Sequence, residues 1–238
     1  MTTPTTIRRA TRADLPLMAR MLVDAFAPGP WGRFLFPGHL RVTPGDEDEV
    51  AWRQHTLAEG LDSPARDTVL ACQGQGDGEI VGWSQWIDLA ALTKGSGGGG
   101  LNPEEMKVKT DDRDSGLARG PNPPGLDLDA LNTLRTEGQE LEKKFKEFLG
   151  AERAAASLQL NYLVVEPKHQ RKGIGRLLVK EGLDQAARQG RDVCLRATPE
   201  GRPLYLALGF EEICEQKVIG GSQYAMVMKA PDLDKTTG

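Results

Sequence analysis

The stretch Asn161-Tyr-Leu-Val-Val-Glu-Pro-Lys-His-Gln-Arg-Lys-Gly-Ile-Gly-Arg-Leu-Leu178 joins three kinds of pattern in eighteen positions. An apolar, β-rich run stops at Glu166-Pro167, a short basic loop follows, and two glycines open a helical repeat. A strand, a loop and a helix N-terminus in that order make an anion site. The first turn of a helix has unpaired N–H groups and the positive end of the dipole. Successive N–H groups from Arg171 to Arg176 can form a nest around a pyrophosphate. Gly173 and Gly175 let the backbone approach without a Cβ in the way, while Arg171, Lys172 and Arg176 supply compensating charge.

Which phosphate compound binds is narrowed by what the loop lacks. A Walker loop needs Lys-Ser or Lys-Thr after its glycines, and none follows here. A dinucleotide fingerprint needs a third glycine for close helix–sheet contact, but Gly173-Ile-Gly175 runs into Arg-Leu-Leu178. The residues Pro-Lys-His-Gln-Arg-Lys between strand and glycines are also too many for that tight turn. What remains is Gln170-Arg171-Lys172-Gly173-Ile174-Gly175, a Q-x-x-G-x-G pattern.

Outward from this segment the second half alternates. Strand 157–166 leads to helix 173–189, strand 192–197, a short helix at 200–208, and strands near 210–218 and 223–229. This predicts parallel pairing in the middle and antiparallel flanks. In the first half, residues 5–10 read as a strand, and Thr11 or Asp14 caps a helix with Leu15, Met18, Leu22 and Phe26 on one face. An aromatic loop with Trp31, Phe34 and Phe36 precedes a charged helix from about Asp46 to Leu61. Strands 67–73 and 79–89 form a hairpin across Gly74–Gly78. Residues 93–126 hold a run of glycines and Pro121-Asn-Pro-Pro-Gly125, which predicts a flexible insertion in one domain spanning 1–238. An amphipathic helix resumes over 127–149.

The 238 residues suffice for a sizeable core. A charged content of 27% with a net charge of only -4 argues against a nucleic-acid surface. No apolar run approaches the ~20 residues that span a bilayer, and Met1–Thr6 does not read as a secretory signal. Cys72, Cys194 and Cys214 are widely spaced and odd in number, so they read as reduced core thiols in a cytoplasmic protein, with no metal site.

The Q-x-x-G-x-G pattern, preceded by Leu-Val-Val-x-Pro, resembles the acetyl-CoA signature of the GNAT superfamily of N-acetyltransferases. Leu195-Arg-Ala-Thr-Pro-Glu-Gly-Arg-Pro-Leu-Tyr-Leu-Ala-Leu-Gly-Phe210 resembles the second hallmark, and Ile7-Arg-x-Ala-Thr-x-x-Asp14 the family's opening. The style is similar to fungal small-molecule acetyltransferases. The resemblance implies an α/β (α+β) fold with a mixed central sheet of six to seven strands, splayed between its central parallel strands. It implies acetyl-CoA as acyl donor and a small-molecule amine as acceptor. Gln170, Arg171, Lys172, Gly173, Ile174, Gly175 and Arg176 would cradle the pyrophosphate. Main-chain groups of Leu163, Val164 and Val165 would hold the pantetheine arm, with an N–H near Val164 stabilising the oxyanion. Tyr205 matches the family's general acid, a phenol that stays protonated at neutral pH.

The base is open. Where many members have a glutamate this chain has Gln159, which cannot take up a proton. Asp88, His39, or no dedicated base at all are the alternatives. Trp83 and Trp86 lie at odd spacing on one strand, so at most one can line an acceptor pocket, and helix 127–149 with the insertion could form a lid. Peptide acetylation, a non-catalytic acyl-CoA-binding module and, more remotely, a dinucleotide oxidoreductase are the rival readings. Oligomeric state is open.

Overall fold

The computed structural model describes residues 4–29, 33–74, 78–94, 122–219 and 221–230. Its strands are β1 (Thr5–Arg9), β2 (Arg66–Gln73), β3 (Glu79–Asp88), β4 (Leu158–Val165), β5 (Val193–Ala197), β6 (Glu211–Val218) and β7 (Gly221–Met228). Its helices are α1 (Leu15–Phe26), α2 (Glu47–Asp62), α3 (Leu89–Lys94), α4 (Leu128–Leu149), α5 (Ala151–Ala156), α6 (Ile174–Arg188) and α7 (Arg202–Ala207). The strands form one seven-stranded mixed sheet in the order β1-β2-β3-β4-β5-β7-β6. Only β4 and β5 run parallel; the other neighbours are antiparallel. A parallel pair needs a crossover, and α6 supplies it.

Each face of the sheet has its own cover. On one side α6 and α7 close over Trp86, Leu158, Leu160, Leu195 and Met226 through Val179, Ala186, Tyr205 and Phe210. On the other, α1 and α2 bury Leu70, Trp83 and Val164, and α4 buries Cys194, Ala225 and Val227 under Leu141 and Phe145. The entry to α1 is fixed by Asp14, whose carboxylate accepts from the Thr11 N–H at 2.8 Å and from Arg8 at 2.7 and 2.9 Å. Hydrogen bonds from Arg8, ahead of the guanidinium's charge, hold that carboxyl well below the usual range.

Helix α4 is a packed wall rather than a lid. Asp127 caps it by accepting from the Ala130 N–H at 2.9 Å, and Leu131, Leu141, Phe145 and Leu149 are buried along its length. Of the expected 93–126 insertion, residues 95–121 lie outside the described residues, as does Trp31 of the aromatic loop. Phe36 belongs to a small core with Leu35, Trp52, Leu126 and Leu131, and Phe34 packs against it.

Candidate active site

The site is organised by one extra residue in β4. Gln85 of β3 opposes Tyr162 and Trp86 opposes Leu160, which leaves Asn161 as a bulge. The bulge flips the side-chain alternation. Leu158 and Leu160 point toward α6, whereas Tyr162 and Val164 join the core under α1.

Main-chain direction changes with it. Before the bulge, the Leu158 N–H donates toward β5, to the Asp192 carbonyl at 2.9 Å; after it, the Glu166 N–H donates toward β3, to the Val81 carbonyl at 3.0 Å. Alternation along an antiparallel ladder then directs Tyr162 and Val164 to β3, and turns Leu163 and Val165 the other way. No strand among the described residues meets them there. The β4–β5 ladder covers only Leu158–Leu160 against Val193–Leu195, and β5 continues against β7 through Arg196 and Ala197. The parallel strands therefore splay from Asn161 onward. Of the three main chains expected at the pantetheine arm, that of Val164 belongs to the β3 ladder, while those of Leu163 and Val165 on either side of it face the opening.

The glycine loop closes the top of the opening. Gln170 Nε2 donates to the Val165 carbonyl at 3.1 Å, and Lys172 Nζ to the Lys168 carbonyl at 2.8 Å. Arg171 has φ +61° and Gly173 +87°. Arg171 is the sole non-glycine with positive φ among the described residues, a conformation that turns backbone N–H groups into a concavity. A Cβ on Gly173 would meet nothing within 4 Å, so its need for glycine is conformational. The Leu177 N–H bonds the Gly173 carbonyl, leaving those of Ile174, Gly175 and Arg176 as first-turn donors. The Ile174 side chain is buried against Val81 and Leu178, while Arg171, Lys172 and Arg176 are exposed. A Cβ on Gly175 would stand 3.4 Å from Leu204, 3.7 Å from Leu163 and 3.8 Å from Val165. Helix start, β4 and α7 thus meet at one point.

Tyr205 lies on α7, in the core that contains Leu160, Leu195 and Ala197, beside the parting of the strands. Its ring packs edge-on against Phe210 at 5.7 Å, and burial pushes its phenol above the ordinary value. It remains protonated throughout the neutral range.

The carboxylate proposed for proton removal is committed elsewhere. Asp88 accepts from Arg191 at 2.6 and 2.8 Å and from the Ala91 N–H at 3.0 Å. Arg191 foremost lowers its carboxyl below the ordinary value. It sits opposite Leu158, at the closed end of β4, so it is a clamp between β3, α3 and the loop before β5. His39 is exposed in the short turn Gly38–Leu40. Gln159 faces the α4 side between Ile87 and Cys194. Trp83 and Trp86 do point to opposite faces, but at 0% and 4% exposure both are core, and neither lines an acceptor surface. Cys72 and Cys194 are buried, and desolvation pushes the Cys194 thiol up to about 11. Glu79, Glu166 and His169 have metal-ligand spacing, but Lys168 Nζ already sits 2.7 Å from Glu79 and 3.2 Å from Glu166.

A polar network beside Asn161 had no motif to announce it. Asn161 Nδ2 donates to Gln85 Oε1 at 2.8 Å, and Gln85 Nε2 donates to Thr68 Oγ1 at 3.3 Å. The one available signal was a glutamine within Trp83-Ser-Gln-Trp86, in the buried middle of a strand.

Parted parallel strands beneath a glycine-rich helix start make up the candidate site. Residues 139–229 match the family model described as acetyltransferase (GNAT) domain. A curated acetyltransferase of Stachybotrys chartarum is 27% identical over 90% of this chain and 84% of its own length. The solved histone acetyltransferase HPA2 and related acetyltransferase of Corynebacterium glutamicum shares the fold at TM-score 0.57, with 18% identity over 96% of this chain and 97% of that one. A spermidine N-acetyltransferase SpeG chimera from Vibrio cholerae and hSSAT does so at 0.50, with 13% identity over 95% of each chain. Over residues 139–229 the chain matches the GNAT acetyltransferase domain, and both the glycine loop and Tyr205 lie within that span. No described helix is long and apolar enough to cross a membrane.

Proposed function

We propose that the protein transfers an acetyl group from acetyl-CoA to the amine of a small molecule, by direct attack in a ternary complex. The observation that carries this is the parting of β4 from β5 at Asn161, with the Leu163 and Val165 main chain turned into the gap. Bound acetyl-CoA supplies a thioester carbonyl at which the C–N bond forms as the C–S bond breaks. Leu163 N–H and C=O and Val165 N–H hold the arm as an added strand would be held. One of the two N–H groups donates to the acetyl oxygen as charge develops there. The N–H groups of Ile174, Gly175 and Arg176 bind the pyrophosphate, with charge from Arg171, Lys172 and Arg176. Gln170 shapes the loop by its hold on Val165. Tyr205 O–H gives its proton to the leaving sulfur and regains one from water. Gln159 and Asn161 are amides, so the amine proton leaves to water.

The test pairs binding with turnover. Acetyl-CoA and CoA raise the melting temperature, NAD does not, and free thiol appears with amines from a small-molecule panel. Stabilisation by NAD alone overturns the reading. Thiol release only with peptides makes the protein a peptide acetyltransferase, and tight acetyl-CoA binding without any turnover makes it an acyl-CoA-binding module.

A further inference from the structure

On the sheet face turned away from α6, the mouth of the splay is ringed by arginines with no ion-pair partner among the described residues. Arg66, which opens β2, reaches Gln85 Oε1 at 3.5 Å, and Gln85 holds Asn161. Gln85 is 1% exposed, so the row is anchored from beneath. Across the gap, Arg196 follows Leu195, the last β5 residue paired with β4. It points to the same face as Cys194 two positions earlier, which packs under α4. An Arg196 Nη1 lies 3.0 Å from where a Cβ on Gly138 of α4 would stand. Arg135 lies one turn before Gly138, on the same helix face, and its Nε is buried without a hydrogen-bond partner.

No carboxylate among the described residues lies within ion-pair distance of these three. Glu59, the acid whose charge reaches Arg66, sits 3.7 Å from His55, and the Glu137 carboxylate accepts from the Ile219 N–H. Elsewhere the chain pairs its half-buried arginines: Arg8 with Asp14, Arg20 with Asp46, Arg53 with Glu49, Arg191 with Asp88. Partly buried guanidinium without an anion is unfavourable, and desolvation weighs on both Arg66 and Arg135. Arg66 stands two strands from Asn161 and Arg196 one, so at about 4.8 Å per strand their backbones are roughly 14 Å apart, a span that two long arginine side chains narrow to the size of one small molecule.

We infer that the acceptor is an amine that itself carries a carboxylate, an amino acid in the broad sense, with its amine at Asn161 and its carboxylate on Arg66 and Arg196. This rests on the acetyl-transfer reading above. The planar guanidinium fork matches a carboxylate bidentately, and the ligand's anion supplies the charge the site lacks. Arg135 closes the wall behind it.

Matched pairs test this: phenylalanine against phenethylamine, lysine against cadaverine, with phosphoethanolamine, ethanolamine and spermidine alongside. The wild type turns over the carboxylate-bearing partner with kcat/KM at least about tenfold higher. Arg66→Gln and Arg196→Gln bring that ratio toward one, with the Kd for acetyl-CoA within about twofold of wild type, and Arg66→Lys keeps part of the preference. A structural role alone would lower both partners equally. Preference for the decarboxylated amines or spermidine overturns the inference. So does a ratio unmoved in both variants, or a protein that binds acetyl-CoA and acetylates none of the panel. Preference for phosphoethanolamine over every amino acid overturns the carboxylate and makes the anion a phosphate. Failure to bind acetyl-CoA instead removes the acetyl-transfer reading on which the inference rests. If Arg66→Gln does not fold, Arg66→Lys and Arg196→Gln carry the comparison.

Discussion

Substituting Gly182 by alanine sets two well-known effects against each other, and the structure says which wins. In an isolated helix, Gly→Ala stabilises by about 1 kcal/mol. Here an alanine Cβ would stand 2.1, 2.2 and 2.6 Å from three atoms of the Trp86 indole. Carbon atoms in contact prefer roughly 3.5–4.0 Å, so ring or helix must move by about 1.5 Å. Trp86 cannot swing out: it is 4% exposed, packed with Leu160, Val179 and Leu195, and its indole N–H donates to Ser84 Oγ at 3.2 Å. Overpacking of a dense core costs typically 1–3 kcal/mol and occasionally more, and a full ring in the path argues for the upper end. After the helix gain, a net loss of about 1–2 kcal/mol is expected. Urea unfolding reads this directly: at m of about 2 kcal/mol/M the midpoint falls by roughly 0.5–1 M. Because α6 carries the glycine loop at its other end, acetyl-CoA affinity falls as well. In a Trp86→Leu background the same glycine substitution becomes neutral or stabilising. A Gly182→Ala protein as stable as wild type, or more so, would refute the close approach of α6 to the sheet.

Three further outcomes are expected. Tyr205→Phe lowers kcat by about a hundredfold or more with acetyl-CoA affinity within twofold; unchanged kcat in single-turnover measurements takes the phenol out of the mechanism. Asp88→Asn loses about 1–3 kcal/mol of stability and leaves the shape of the kcat pH profile intact. The Asp88 carboxyl is held below its ordinary value, so its contribution is present above pH about 4 and fades as pH falls below that; loss of an acid limb from the kcat profile at unchanged stability would restore Asp88 as a base. Cys194, pushed up to about 11 by burial, stays a thiol in the fold while the unfolded chain ionises near pH about 8.5. Stability therefore declines between these values as pH rises, and Cys194→Ala removes that component in alkaline melts; an unchanged decline in the variant would assign it to other groups.

What the sequence made legible was local, and what it hid was relational. The helix expected over 127–149 spans Leu128–Leu149, and the strand expected over 192–197 spans Val193–Ala197, because periodicity and capping act within a few residues. The glycine loop was readable for the same reason: Gly173 needs its positive φ whatever packs nearby. The bulge at Asn161 was not, since it exists only as a mismatch between two ladders. Nor was the fate of Asp88, whose partner Arg191 lies 103 positions away, or the burial of both Trp83 and Trp86, which a period-2 pattern assigns to faces but not to depth. The Arg66, Gln85 and Asn161 row joins three strands and has no sequence signature at all.

Asn161 can also be viewed as a dislocation in an otherwise regular lattice. A crystal dislocation is one surplus half-plane of atoms, and its effect is felt along the whole line beyond it. The surplus residue acts likewise, setting everything from Tyr162 to Val165 half a repeat out of step with Leu158–Leu160. Deleting it would heal the lattice: the phase of β4 would run through, the main chain of Leu163 and Val165 that now faces the gap could pair with β5, and the sheet could zip shut. Such a chain would have the more regular sheet and no seam for a substrate, so the activity depends on a defect that pairing energetics alone would remove.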